Sequence, residues 1–74
     1  MTGEIYSADS QKLVSLLVNA RNEAGLTQKS AAAFLGKTQS YLSKVESGQR
    51  RVDLIELKQF CRVYKKPLSY FVNL

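Results

Sequence analysis

Histidine and tryptophan are absent from this 74-residue sequence, and cysteine, methionine and proline each occur once. Without histidine, the chain lacks the side chain most used for acid–base catalysis and the commonest metal ligand. The single cysteine excludes an internal disulfide and a cysteine-rich zinc site, and with no signal peptide it fits the reducing cytoplasm. No apolar run approaches the length of about 20 residues that a membrane-spanning helix needs. We therefore expect one small cytoplasmic domain, residues 1–74, with no metal, no cofactor and no membrane partner.

The same absences argue against catalysis. The sequence contains no nucleophile–base pair, no glycine-rich phosphate loop and no metal-ligand cluster, so we do not expect an enzyme. We interpret Cys61 as a small core residue rather than a reactive thiol, since no basic neighbour or helix N-terminus is evident to lower its pKa.

Positive charge is concentrated in the second part of the chain. Basic residues outnumber acidic ones 11 to 6, which gives a net charge of +5. Eight of the basic residues, against three acidic ones, follow residue 33, so the whole excess lies there. Such a concentration favours a polyanion partner such as nucleic acid, but it is also compatible with an ordinary solvated surface.

The apolar residues follow a helical period, and no strand-like alternation is present. Leu13 and Leu17 begin the apolar side of a first helix, which we predict from about Ser7 to Ala24. Residues 1–6, which precede this helix, are expected to be loosely ordered.

Capping residues and glycines mark the other helices. They predict a second helix over 27–35, a third over 38–47, a fourth that starts at a capping box of Asp53 and Glu56, and a short fifth helix after Pro67. The sequence therefore predicts a compact all-α domain of five helices.

The most informative pattern runs from residue 27 to residue 47. Two short helices flank a tight turn at Gly36, and three small alanines let them pack closely, which is the geometry of a helix-turn-helix. The polar side of the second of these helices includes glutamine and lysine, which read adenine and guanine edges in DNA. Arg50 and Arg51 follow directly and suit backbone phosphates. Taken without its surroundings, the same polar side is more typical of a solvated helix surface.

Over about residues 10–72, the sequence resembles the XRE-type helix-turn-helix proteins, the family of the lambdoid phage repressors and Cro. The matching features are Thr27 and Gln28 opening a helix, Ala32, the Gly36 turn, the Ser43–Gly48 run and Arg21 upstream. The resemblance implies a lambda-repressor-like fold and a sequence-specific DNA-binding transcriptional regulator. Such proteins usually act as homodimers on an inverted repeat of double-stranded DNA. A lone domain of this size is similar to restriction–modification controller proteins and to small phage or plasmid repressors.

The resemblance also implies roles for individual side chains of the third helix. The residues expected to contact bases are Gln39, Ser40 and Lys44, together with Tyr41 and Ser43, which contact bases or phosphates depending on the family member.

Two further sets of residues follow from the same resemblance. Arg21 and Glu46 are expected to form a structural ion pair that ties the first helix to the third. Gln28 is expected to brace the first recognition residue as well as to contact a phosphate. The full set of expected phosphate contacts is Thr27, Gln28, Lys37, Arg50 and Arg51.

Two positions depart from the usual family pattern and leave alternatives open. Ala31 stands where a large aliphatic residue is usual, and Phe34 stands where a polar one is usual. Either the Phe34 ring turns inward to fill the space beside Ala31, or it is an exposed aromatic side chain.

The apolar end of the chain is also open to two interpretations. Part of it must close the core, and the remainder is a candidate dimer interface. The residues concerned are Leu68, Tyr70, Phe71, Val72 and Leu74.

An alternative function is a protein-interaction module. In that case the domain is an antitoxin that neutralises a co-encoded partner protein and binds DNA only to regulate its own synthesis.

Overall fold

The structure is a computed structural model that describes residues 8–72, and every regular element in that range is a helix. This confirms the predicted all-α fold. None of these helices is long and apolar enough to cross a membrane. In chain order the helices are α1 (Ala8–Glu23), α2 (Gln28–Leu35), α3 (Gln39–Glu46), α4 (Leu54–Tyr64) and α5 (Leu68–Phe71).

Two predicted boundaries differ slightly from the observed ones. Helix α1 ends at Glu23 instead of Ala24, and α3 ends at Glu46, with Ser47 as its C-cap. The proposed cap Ser7 and the loosely ordered segment 1–6 lie outside the described residues.

Side-chain caps start the three helices that follow α1. The Thr27 hydroxyl accepts from the Ser30 backbone N–H at 3.1 Å, and the Ser30 hydroxyl accepts from the Thr27 backbone N–H at 3.0 Å. Thr38 Oγ1 accepts from the Tyr41 N–H at 3.0 Å. These bonds satisfy backbone donors that have no partner inside the helix, which explains why the helices begin at these residues.

The start of α4 is the predicted capping box. Asp53 Oδ1 accepts from the Glu56 N–H at 2.7 Å, and Glu56 Oε1 accepts from the Asp53 N–H at 3.0 Å. Each side chain thus satisfies a backbone donor of the other residue.

The turn between α2 and α3 depends on Gly36. Its φ of 69° lies in the left-handed region, where a side chain is strained. In this conformation the Gly36 N–H bonds to Ala33 O at 3.1 Å and the Lys37 N–H bonds to Ala32 O at 2.9 Å. The chain therefore leaves α2 and enters α3 with its terminal carbonyls paired.

The core lies where α1, α2, α3 and α4 meet, and α5 closes it against α1 and α4. The buried apolar residues of the described range are Leu17, Ala20, Ala31, Ala32, Leu35, Leu42, Val45, Leu57, Phe60, Tyr64 and Phe71.

Burial decides between the two alternatives for Phe34 and, at the chain end, assigns Phe71 to the core. Phe34 is 68% exposed while Ala31 is fully buried, so the ring does not fill the space beside Ala31. Phe71 is only 6% exposed and belongs to the core, which removes it from the candidate dimer surface because a buried side chain is not available to a partner. Leu68 is exposed, Tyr70 and Val72 are half-buried, and Leu74 lies outside the described residues.

Cys61 packs against the core as a half-buried side chain, as expected for a small core residue. Burial raises the pKa of its thiol above the ordinary value, which disfavours the reactive thiolate.

We expect Asp53→Ala to lower the free energy of unfolding by about 1 kcal/mol, because it removes the acceptor that caps α4. Urea denaturation followed by far-ultraviolet circular dichroism measures this loss. Asp53→Asn retains a capping oxygen and should unfold close to the unsubstituted protein. Equal losses in the two variants would contradict the capping role.

Candidate nucleic-acid interface

An ion pair between Arg21 in α1 and Glu46 in α3 holds the helix-turn-helix in place. Arg21 Nε donates to Glu46 Oε2 at 2.7 Å, and Nη2 donates to Glu46 Oε1 at 3.2 Å. Arg21 Nη1 also donates to the Leu26 carbonyl at 2.8 Å, immediately before α2. The two side chains are 14% and 6% exposed, so the pair predicted between the first and third helices is present and largely buried.

Gln28 belongs to this same network. Its Nε2 donates to Glu46 Oε1 at 2.9 Å, so the side chain braces the ion pair. The expected brace onto Gln39 is therefore replaced by a bond to the end of α3. The phosphate contact of Gln28 stays a prediction.

The outer side of α3 is made of exposed polar residues. At about 100° per residue, these positions lie together on one side of the helix, opposite the buried Leu42 and Val45. Within residues 8–72 their side chains form no hydrogen bond or ion pair. They are Gln39, Ser40, Ser43 and Lys44.

Tyr41 occupies the boundary between the two sides of α3. Its ring packs against the core, and the Arg50 guanidinium carbon lies 4.8 Å from the ring centroid. Lys37 Nζ lies 5.2 Å from the same centroid. Burial, followed by the nearby Glu56 carboxylate, raises the pKa of Tyr41 to about 12. The structure thus gives Tyr41 a packing role, and its expected base contact stays a prediction.

Arg50 has internal partners that the sequence did not indicate. Its Nη2 donates to Glu56 Oε2 at 2.8 Å, and its Nη1 donates to the Arg51 carbonyl at 2.7 Å. The side chain remains 43% exposed. Arg50 therefore joins the loop after α3 to α4, and its expected phosphate contact stays a prediction.

Three cations near α3 have no carboxylate partner within residues 8–72. Lys37 precedes the helix, Lys44 lies on its outer side, and Arg51 follows it, and all three are exposed. Cations left unpaired around a polar helix surface create a positive potential that attracts phosphate groups.

Sequence reasoning missed two features of this region. The sequence predicts Glu56 only as a capping residue, because its spacing from Arg50 across the loop does not indicate that its second oxygen pairs with that arginine. Leu54 and Ile55 are 61% and 71% exposed, and the missed signal was two large aliphatic residues in a row at the start of α4.

A short helix, a glycine turn and a second helix with an exposed polar side define a helix-turn-helix DNA-binding domain. Residues 17–71 match a family model described as helix-turn-helix. Comparison with curated proteins found no match.

Solved structures similar to this chain include the following two proteins. An XRE-family like protein from Pseudomonas syringae pv. tomato str. DC3000 is 43% identical, with a TM-score of 0.84, over 97% of this chain and 88% of that one. The restriction-modification controller protein C.AhdI from Aeromonas hydrophila is 30% identical, with a TM-score of 0.79, over 86% of this chain and 93% of that one. The chain belongs to the XRE-type helix-turn-helix family, and it is accordingly a DNA-binding transcriptional regulator.

Replacing Arg21 with alanine should lower the free energy of unfolding by about 3–5 kcal/mol, because Glu46 would be left as a buried charge without its partner. Thermal unfolding followed by circular dichroism measures the change. Arg62→Ala, at an exposed position in α4, is the matched control and should change stability by no more than about 0.5 kcal/mol. Similar effects of the two substitutions would show that the ion pair does not carry the stability.

Proposed function

We propose that this protein binds a specific inverted-repeat DNA operator as a homodimer, with α3 in the major groove, in the cytoplasm and without catalytic activity of its own. The observation that carries the proposal is the outer side of α3, whose polar side chains are exposed and unpaired within residues 8–72. Gln39 and Lys44 have the hydrogen-bonding groups that discriminate adenine and guanine edges. Ser40 and Ser43 are short enough to let the helix approach the bases.

Groups suited to contact the DNA phosphate backbone lie on both sides of this outer side of α3. On one side is the N-terminus of α2, near Thr27 and Gln28, where the helix dipole and the first-turn amides favour a phosphate. Lys37, Arg50 and Arg51 supply the positive charges around α3. These contacts orient the domain on the duplex, while the outer side of α3 selects the sequence.

The homodimer is proposed because one domain of this size reads only half of a symmetric site. A two-fold axis would set the two copies of α3 about 34 Å apart, one turn of B-DNA. The C-terminal surface retains Leu68, Tyr70 and Val72 as candidate dimer contacts. The exposed Leu54 and Ile55 form a second apolar candidate at the start of α4.

A second candidate function is favoured by Phe34, whose ring is 68% exposed at the end of α2. An exposed aromatic residue is a typical anchor for a protein partner. An antitoxin that neutralises a co-encoded protein would use such a surface and would bind DNA only for autoregulation. Co-expression with the products of neighbouring genes tests for a bound partner. Loss of that partner in the Phe34→Ser variant distinguishes this function from DNA binding alone.

We expect Gln39→Ala and Lys44→Ala each to weaken binding to the preferred duplex by about 1–3 kcal/mol, because each removes a base-edge hydrogen bond. The duplex is first selected by the protein from a random pool, and affinities are then measured by fluorescence anisotropy. Unchanged affinity in both variants would exclude α3 as the reading helix.

Arg51→Ala is the matched control for those two variants. It removes a cation that contacts phosphate, so it should weaken binding to all duplexes alike and make the salt dependence shallower by about one unit of slope. A loss confined to the selected duplex would contradict the phosphate role.

Replacing Leu68 or Ile55 with aspartate should identify the dimer surface, since a charge at the centre of an apolar contact opposes association. Light scattering is expected to show a dimer for the unsubstituted protein and a monomer for one of the two variants. Both residues are exposed, so circular dichroism should remain unchanged. A monomeric unsubstituted protein, with and without DNA, would overturn the homodimer proposal.

A further inference from the structure

The carboxylate of Glu56 connects two parts of the domain. Oε1 caps α4 by accepting from the Asp53 N–H at 3.0 Å, and Oε2 accepts from Arg50 Nη2 at 2.8 Å. Glu56 itself is buried, with 8% of its surface exposed. A buried carboxylate is stable only where its oxygens are paired, and here the Asp53 N–H pairs with one oxygen and Arg50 pairs with the other.

The second support for Arg50 is the Tyr41 ring. The guanidinium carbon lies 4.8 Å from the ring centroid, within the range of a cation–π contact. Tyr41 is in the first turn of α3, whereas Arg50 lies in the loop that follows the same helix. The guanidinium therefore bridges the start of α3 and the start of α4 across the loop.

Only part of the guanidinium is used by these contacts. Nη1 donates to the Arg51 carbonyl and Nη2 donates to Glu56, which leaves the remaining N–H groups without a hydrogen-bond partner within residues 8–72. The side chain as a whole is 43% exposed. The guanidinium is thus contacted by Glu56 and by the Tyr41 ring, and it retains N–H donors that have no partner among the described residues.

We infer that Glu56 is a positioning residue for DNA binding, which holds Arg50 against Tyr41 so that the free edge of the guanidinium is presented to a backbone phosphate. The inference rests on the proposed function and adds to it a residue that does not touch DNA. The physical reason is preorganisation: an arginine already held in place loses less side-chain freedom when it binds a phosphate. The nearby Glu56 carboxylate also contributes to the raised pKa of Tyr41, as expected for groups in proximity.

The test is the affinity of Glu56→Gln for the selected duplex. Glutamine retains an oxygen that can cap α4, so the fold should be preserved, but the charge that holds Arg50 is lost. We expect binding to weaken by about 5- to 10-fold. A loss of affinity is informative, because removing a negative charge near DNA would by itself strengthen binding. Equal or tighter binding by Glu56→Gln would overturn the inference.

A double-substitution cycle separates positioning from a general structural effect. Arg50→Ala should weaken binding, and adding Glu56→Gln to it should cause less than about a 2-fold further change, since the residue to be positioned is gone. If Glu56→Gln lowers the affinity equally in the unsubstituted protein and in the Arg50→Ala variant, Glu56 acts through the fold, which would contradict the inference.

Two further variants complete the design. Asp53→Ala weakens the same cap without touching Arg50, and it should bind the duplex with nearly unchanged affinity at a temperature where the protein is folded. Lys44→Ala tests the proposed function independently. If Lys44→Ala weakens binding and Glu56→Gln does not, the positioning inference fails while the proposed function stands. If the unsubstituted protein selects no duplex, the proposed function itself fails.

Discussion

The buried ion pair between Arg21 and Glu46 is the interaction on which the rest of the domain depends. It joins α1 to α3, and the bond from Arg21 to the Leu26 carbonyl adds the entry to α2. Since a buried charge without a partner is costly, each of the two residues restricts where the other can lie. The orientation of α3 relative to the rest of the fold follows from this restriction.

Around that pair, the two sides of α3 have separate tasks. The inner side supplies Leu42 and Val45 to the core and Glu46 to the ion pair, while the outer side keeps its polar groups unpaired within residues 8–72. A binding surface needs this division, because side chains that satisfy each other gain little from a new partner. In the proposed complex, rigid support on one side allows the other to meet DNA with little loss of freedom.

Tyr41, Arg50 and Glu56 extend the same principle beyond the end of α3. The loop between α3 and α4 would be mobile if it were held only by its backbone, but the guanidinium of Arg50 links it to both helices. If Arg50 binds a phosphate as proposed, the roles of structural and binding residue overlap at this position.

The sequence by itself determined the helices and the family. Thr27, Thr38 and Asp53 cap their helices through bonds to residues three positions along the chain, and such local bonds can be identified from spacing alone. Only the tertiary structure decided the partners of Gln28 and Arg50, the burial of Phe71 and the exposure of Phe34. Gln28 reaches Glu46 across 18 positions of the chain, and a polar side chain near a helix surface has several possible partners until neighbouring helices set the distances. Helix boundaries depend on neighbouring residues, whereas the choice between bracing the fold and facing DNA depends on how the helices pack.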